Sequence, residues 1–251
     1  MSKKEKLFIV LGAFFIANAL LAEFIGVKIF SLERTLGFQP LQYNLFNIEL
    51  SLTYTAGVII WPVVFIMTDV INEYYGERGV QFLSYLAAGI ISYAFIVVYL
   101  AIHTVPADWW VTINADKGIP DMNMAYQGIF GQGMNIIYAS LVAFIMGQLI
   151  DVLIFQKIKN ATKGKYLWLR ATGSTIVSQA IDSFVVIFLA FYIAAGWDFE
   201  RVMAVAINNY IYKFALALCT TPILYVVHIL LDNYLGKTLS HEMRNQIELE
   251  E

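Results

Sequence analysis

Two short runs repeat one chemical pattern. Gly147-Gln148-Leu149-Ile150-Asp151 and Ser178-Gln179-Ala180-Ile181-Asp182 both read small–Gln–x–x–Asp. On a helix, residues i and i+3 share a face, so each run would offer a carboxamide and a carboxylate together. Ser174 and Ser178 extend the Asp182 face by steps of four. A carboxylate accepts two N–H groups from a planar, guanidine-like edge because the spacings match, and an amide supplies both a donor and an acceptor. The pairing suits a neutral, flat molecule with N–H donors and carbonyl acceptors. Phe14, Phe15, Tyr138, Phe184 and Tyr212 are candidate stacking faces, worth about 1–3 kcal/mol per base for a nucleobase-like ligand.

A third run, TDVINEYYGERG (Thr68–Gly79), places Asp69 and Glu73 four apart at the end of an apolar segment. Charges at membrane depth are expensive, and they commonly serve an ion or substrate path. The remaining polar residues within apolar segments are Asn18 and Glu23, then Asn208, Asn209 and Lys213. Structural readings stand beside the functional ones. Asp182 and Lys213 could simply neutralise each other, Glu23 could be Lys213's partner instead, and the glutamines could be interhelical glue worth ~0.6 kcal/mol each. Lys28 reads as a snorkelling interface residue.

These residues need helices in a bilayer to hold them. Of 251 residues, 59% are hydrophobic and 14% charged, with mean hydropathy +0.67; soluble domains run near 45–50% and 25%. The apolar residues fall into six blocks near the ~20 residues a span requires: 7–30, 50–68, 81–103, 134–155, 167–196 and 202–231. The expected fold is an all-α integral membrane protein with six transmembrane helices in one domain covering 1–251. The second block is the weakest, with Trp61-Pro62 inside it. Eleven of the 16 lysines and arginines fall on the side of the two termini and four on the other, so the positive-inside rule places both termini in the cytoplasm. Counting from the ends puts Asn18, Asp182 and Lys213 nearest the midplane, and Asp69, Glu73 and Asp151 nearer the cytoplasmic face. The segments 31–51 and 106–133 lie outside, the first as a structured loop on the bundle. The tail after Leu235 is expected to be a fraying cytoplasmic helix end.

The net charge of −3, with no basic patch outside the cytoplasmic loops, gives no nucleic-acid surface. A single cysteine, Cys219, excludes an intrachain disulfide and a cysteine metal cluster. No cofactor is called for, and no GxxxxGK[ST] phosphate loop is present. An aspartyl dyad of Asp151 and Asp182 would be needed for an intramembrane enzyme, but no Gly-x-Gly-Asp surrounds either residue. The chain is not expected to be an enzyme. The bilayer and a small molecule are the expected partners, and the sequence leaves homo-oligomerisation open.

The TDVINEYYGERG run with the preceding TAGVIIWPVVFIM, the first-span Asn18-Ala19 with Lys28, and the run Ser178–Ser183 resemble the queuosine precursor transporter family, within the vitamin-uptake transporter group. The resemblance extends from about Leu7 to Leu235. It implies uptake across the inner membrane of 7-deazaguanines, chiefly 7-cyano-7-deazaguanine and 7-aminomethyl-7-deazaguanine, for queuosine in tRNA. Candidate substrate residues are then Asn18, Glu73, Gln148, Asp151, Gln179, Asp182, Asn209 and Lys213. Asp182 or Glu73 would take the guanine edge, and Lys213 would balance the charge. Glu23 and Asp69 are candidates for proton coupling, with facilitated diffusion equally compatible. The alternative is a substrate-binding membrane subunit of an energy-coupling-factor vitamin transporter, with Ala13, Ala17 and Ala22 as a docking face.

Overall fold

The computed structural model describes residues 1–132 and 137–250. The chain is predominantly helical, and five helices are long and apolar enough to cross a membrane. They are apolar all round rather than on one stripe, as lipid-facing helices are. Phe14, Leu21, Phe82, Tyr93, Ile96, Leu153, Val226 and Leu230 are among the large apolar side chains left exposed.

Helix α1, Lys3–Ile25, opens with a capping box. The Ser2 hydroxyl accepts the Glu5 N–H, and the Glu5 carboxylate accepts the Ser2 N–H at 2.9 Å. Residues Ile29–Ser31 (β1), Tyr43–Leu45 (β2), Ile48–Leu50 (β3) and Thr53–Thr55 (β4), with the single helical turn Leu32–Thr35 (α2), build a small cap. β1 pairs antiparallel with β4, and β2 with β3. Phe46 and Asn47 join β2 to β3 with positive φ at both positions, the two-residue turn whose twist matches a hairpin. The apolar runs that hydropathy assigns to the end of the first span and the start of the second therefore become strands. Ile29 pairs with Thr55, and Leu50 pairs with Tyr43.

Helix α3, Trp61–Ile102, starts on Pro62, which needs no N–H in a first turn. At 42 residues it would be about 63 Å long if straight, twice the hydrocarbon thickness of ~30 Å. It is not straight. Gly76 breaks it with φ 71° and ψ −175°, a region essentially reserved for glycine. Contacts with α1 give the consequence. Before the break, Gly57 lies against Ala22, and the Tyr75 hydroxyl donates to the Lys4 carbonyl at 2.8 Å. After it, Leu83 lies against Gly12, and Phe24 stacks on Phe95 at 5.3 Å. The chain descends beside α1, reverses at Gly76, and climbs back.

Short helices α4 (Asp108–Val111) and α5 (Met122–Gln132) follow; α5 reaches back to α1 and α3, with Phe130 edge-on to Phe24. Helix α6 is Ile137–Ala161; the start of the fourth hydropathy block, 134–136, lies outside the described residues. Helix α7, Leu167–Ile187, ends in a wider π turn over Phe188–Ile193. Helix α8 is Phe199–Leu235, with Pro222 inside it, and α9 is Lys237–Glu250. Lys3 donates to the Tyr234 carbonyl at 3.1 Å, so the start of α1 and the end of α8 meet at one end of the bundle. The strand cap covers the other end.

The tail does not simply fray where its side chains are described. α9 folds back on α3 and α8, burying Ser240 and Met243. Asp232 accepts hydrogen bonds from Tyr74 (2.7 Å), Ser240 and Arg244. Hydropathy missed this because α9 is polar overall, and the apolar residues it lays on the core, Leu239 and Met243, are too few to stand out.

Candidate functional site

Three helices converge on one recess. α3 supplies Trp61, Phe65 and Thr68; α6 supplies Phe144, Gly147, Gln148 and Asp151; α7 supplies Ser178, Gln179 and Asp182. Apart from the adjacent pairs Gly147–Gln148 and Ser178–Gln179, each set advances by three or four residues, the spacing that keeps side chains on one helix face. Both small–Gln–x–x–Asp runs therefore reach the same space, a recess of about 330 Å³ counted out to its open side. α6 and α7 run close at Gly147: a Cβ there would make ordinary van der Waals contact, 3.5 Å from that of Asp182 and 3.8 Å from the Ser178 carbonyl oxygen. The enclosed part admits only water-sized bodies, so a flat ring would need the lining to move apart.

The polar groups have bonding capacity to spare. The Gln148 amide oxygen lies 3.1 Å from the Thr68 hydroxyl, whose one proton it shares with the Val64 carbonyl at 3.0 Å, and its NH₂ makes no hydrogen bond among the described residues. Asp151 accepts from the Ser178 hydroxyl at 2.9 Å through one oxygen. Gln179 keeps a buried carbonyl oxygen with no partner among the described residues. Buried polar atoms are ordinarily satisfied, so an open acceptor in a recess marks a place for a donor. Asp182 is bonded to Lys213 of α8, and of the two pairings open in the sequence this is the one formed. Glu23 instead accepts from Ser140 at 2.6 Å.

The other candidates lie elsewhere. The Asn18 amide turns back to the Phe14 carbonyl at 2.7 Å. Asn209 is half-buried and is not among the lining residues; its neighbour Asn208 is buried, takes the Tyr43 hydroxyl, and donates to the Ser51 carbonyl at 3.3 Å, fastening the cap to α8. The aromatic walls are Trp61, Phe65 and Phe144 rather than Phe14, Phe15, Tyr138, Phe184 or Tyr212; Phe15 lies behind Phe144, with ring centres 6.3 Å apart. Residues 55–227 match the family model described as "Putative vitamin uptake transporter". The chain belongs to this vitamin uptake transporter family.

Relatives agree with that placement. The chain is 30% identical over 186 residues to the "Probable queuosine precursor transporter" of Bacillus subtilis (strain 168), covering 72% of this chain and 75% of the relative. It is 25% identical to the protein of the same name from Haemophilus influenzae, over 59% of this chain and 56% of that one. To the "Queuosine precursor transporter" of Escherichia coli (strain K12) it is 24% identical, over 63% and 65%. No solved structure matches. All the recess residues of this vitamin uptake transporter family member fall inside the matched segment, whereas Asn18, Glu23 and α9 fall outside it.

Toward the end bearing the termini, this family member ties its charges together. Glu73, the most conspicuous acid of the TDVINEYYGERG run, is 2% exposed and bonded at 2.7 Å to Arg170. Arg170 also donates to the Gly164 carbonyl at 2.7 Å, binding the α6–α7 turn to α3. One residue earlier, Asn72 accepts from Gln156 at 2.7 Å. Glu73 is thus separate from the recess, engaged with a partner 97 residues away that no local pattern could indicate.

At the opposite end, Glu33 of the cap is 3% exposed. Burial alone would raise its pKa. Donation from the Leu52 N–H (2.7 Å) and the Ser31 hydroxyl (2.8 Å) outweighs burial and holds it below the usual carboxylate range.

Proposed function

We propose that this multi-pass membrane protein imports 7-deazaguanine precursors of queuosine, 7-cyano-7-deazaguanine and 7-aminomethyl-7-deazaguanine, across the inner membrane. The carrying observation is the meeting of both small–Gln–x–x–Asp runs with three aromatic rings in one recess. The names of the relatives give the substrate class. A guanine-like edge presents a lactam N–H and an exocyclic amine, for which Asp151 and the open Gln179 oxygen are acceptors. The ring carbonyl takes the free Gln148 NH₂. Trp61, Phe65 and Phe144 give the ring faces to stack on, and Lys213 pairs with Asp182 at the edge of the recess. Because Glu73 is engaged by Arg170, the guanine edge is assigned to the recess carboxylates.

The reversal at Gly76 supports a six-crossing topology in which α3 supplies two spans. With an even number of crossings and the positive-charge asymmetry, the end bearing the termini faces the cytoplasm and the strand cap faces outward. The asparagines Asn18 and Asn209 then serve helix packing. Glu23, 2.6 Å from Ser140, lies near the cap end and outside the recess.

The test is uptake of labelled 7-cyano-7-deazaguanine in cells lacking both its synthesis and their own carrier. Uptake and queuosine in tRNA, both restored by this chain and both abolished by Asp151→Asn, are the expected result. No uptake with folded, inserted protein would overturn the substrate class.

A further inference from the structure

A second recess, of about 240 Å³, lies between α3, α7 and α8, and it shares one wall with the first. That wall is Phe65. The polar lining is of a different kind: Asp69 from α3, Thr172 and Thr175 from α7, and Thr220 and Thr221 from α8. No amide lines it, and its free core admits a single water-sized body. Asp69 is 5% exposed, makes no hydrogen bond among the described residues, and has a fully buried, unpartnered Oδ1.

The hydroxyls of Thr220 and Thr221 both point at the Ala217 carbonyl, at 3.0 and 3.1 Å. The Thr172 and Thr221 hydroxyl oxygens are 2.7 Å apart, and either can be the donor. With the Thr221 proton on Ala217, Thr172 is the donor of that pair, and because a hydroxyl has one proton and two lone pairs these three oxygens then present lone pairs to the recess. Neither they nor Thr175, the fourth lining hydroxyl, donate to Asp69 Oδ1 among the described residues. Glu73, one turn along α3, is paired with Arg170.

A lined space of this size, composed of acceptors and one acid, selects a small hard cation, which prefers oxygen ligands. We propose that this recess binds a monovalent cation of the sodium class, held by the Asp69 carboxylate and the hydroxyl oxygens of Thr172, Thr220 and Thr221. A proton on Asp69 would need only one acceptor, and three converge here. Coupling of the ion to uptake rests on the proposed transport function, with Phe65 as the wall through which filling one recess is felt in the other. Binding of the ion does not rest on it.

The test uses the purified full chain in detergent, without substrate, exchanging choline chloride for sodium chloride at constant ionic strength. The readout is the unfolding temperature at two pH values. Sodium should raise it saturably at both, with potassium weaker, because a ligand of the native state stabilises by mass action. Thr221→Val should raise the half-saturating sodium concentration at least about tenfold, and Asp69→Asn should abolish the rise. If Asp69→Asn does not fold, Thr221→Val and Thr220→Val carry the test. Indistinguishable curves in choline and sodium, or a sodium effect unchanged in all three variants, would overturn the site. A response to pH alone would also overturn it and leave Asp69 a proton carrier. Sodium binding in a chain that carries no deazaguanine would retain the site and remove the substrate. Deazaguanine uptake without any sodium effect would do the reverse.

Discussion

Polar side chains are buried in different company at two levels of this molecule. In the recess among α3, α6 and α7, Gln148 keeps free donors and Gln179 an unpartnered acceptor between aromatic walls. One to two helical turns closer to the termini, Glu73 and Arg170 close on each other at 2.7 Å with both side chains under 5% exposed. The first arrangement gathers amides, carboxylates and aromatic rings, with the Asp182–Lys213 pair at its edge; the second is dominated by one matched ion pair, although Glu73 Oε2 and Arg170 Nε also lack partners among the described residues. The difference is one of chemistry rather than of unfilled bonds: open amide groups beside rings suit a flat polar ligand, and matched charge between helices suits a frame.

The largest expected effect lies in the frame. Arg170→Met leaves Glu73 buried and unpaired, which should cost about 3–5 kcal/mol, read as a drop in the unfolding temperature of the detergent-purified chain. The double variant with Glu73→Gln should recover most of it. A double variant no more stable than the single one would mean that the pair does more than hold helices. Gly76→Ala comes next, at about 1–3 kcal/mol of backbone strain. It should lower folding yield and stability without changing the affinity of the protein that does fold, as measured by ligand titration.

In the site, the sign of the comparison reverses. Gln148→Ala should leave the unfolding temperature nearly unmoved, while removing a donor that costs about 1–3 kcal/mol when lost. That is a roughly tenfold to hundredfold weaker Kd for a 7-deazaguanine.

How far the sequence could be read follows the same division. Composition identified the membrane, and the i, i+3 spacing of Gln148 with Asp151 and of Gln179 with Asp182 identified two faces that do meet. What it could not supply was the register between helices. Arg170 is an ordinary cytoplasmic-loop cation until α7 lays it against Glu73. Trp61 and Phe65 look like filler in the weakest apolar block until α3 turns them toward Phe144. Asn18 satisfied every local criterion for a site residue, yet its amide bonds to its own helix. The strands of the cap escaped notice because Ile29, Phe30 and Leu50 are as apolar as the helices they adjoin.

The smallest effect expected is in the cap. Glu33 has a folded pKa below its ordinary value near ~4.3. Its contribution is therefore complete above that value and is lost as pH falls through the folded pKa. Amide protection of Leu52, whose N–H it accepts, should weaken below about pH 4. In Glu33→Gln that weakening should be absent, at a stability cost of about 1 kcal/mol. Hydrogen exchange followed against pH in both proteins sharpens the contrast between a cap that fastens and a recess that binds.

The most direct measurement is equilibrium binding of labelled 7-cyano-7-deazaguanine to the purified chain, compared with Asp151→Asn, Gln148→Ala and the Glu73→Gln/Arg170→Met pair. Saturable binding that the two recess variants weaken at least about tenfold, and that the frame pair retains, is the predicted result. Binding that survives both recess changes and disappears with the frame pair would contradict it and move the site to the end bearing the termini.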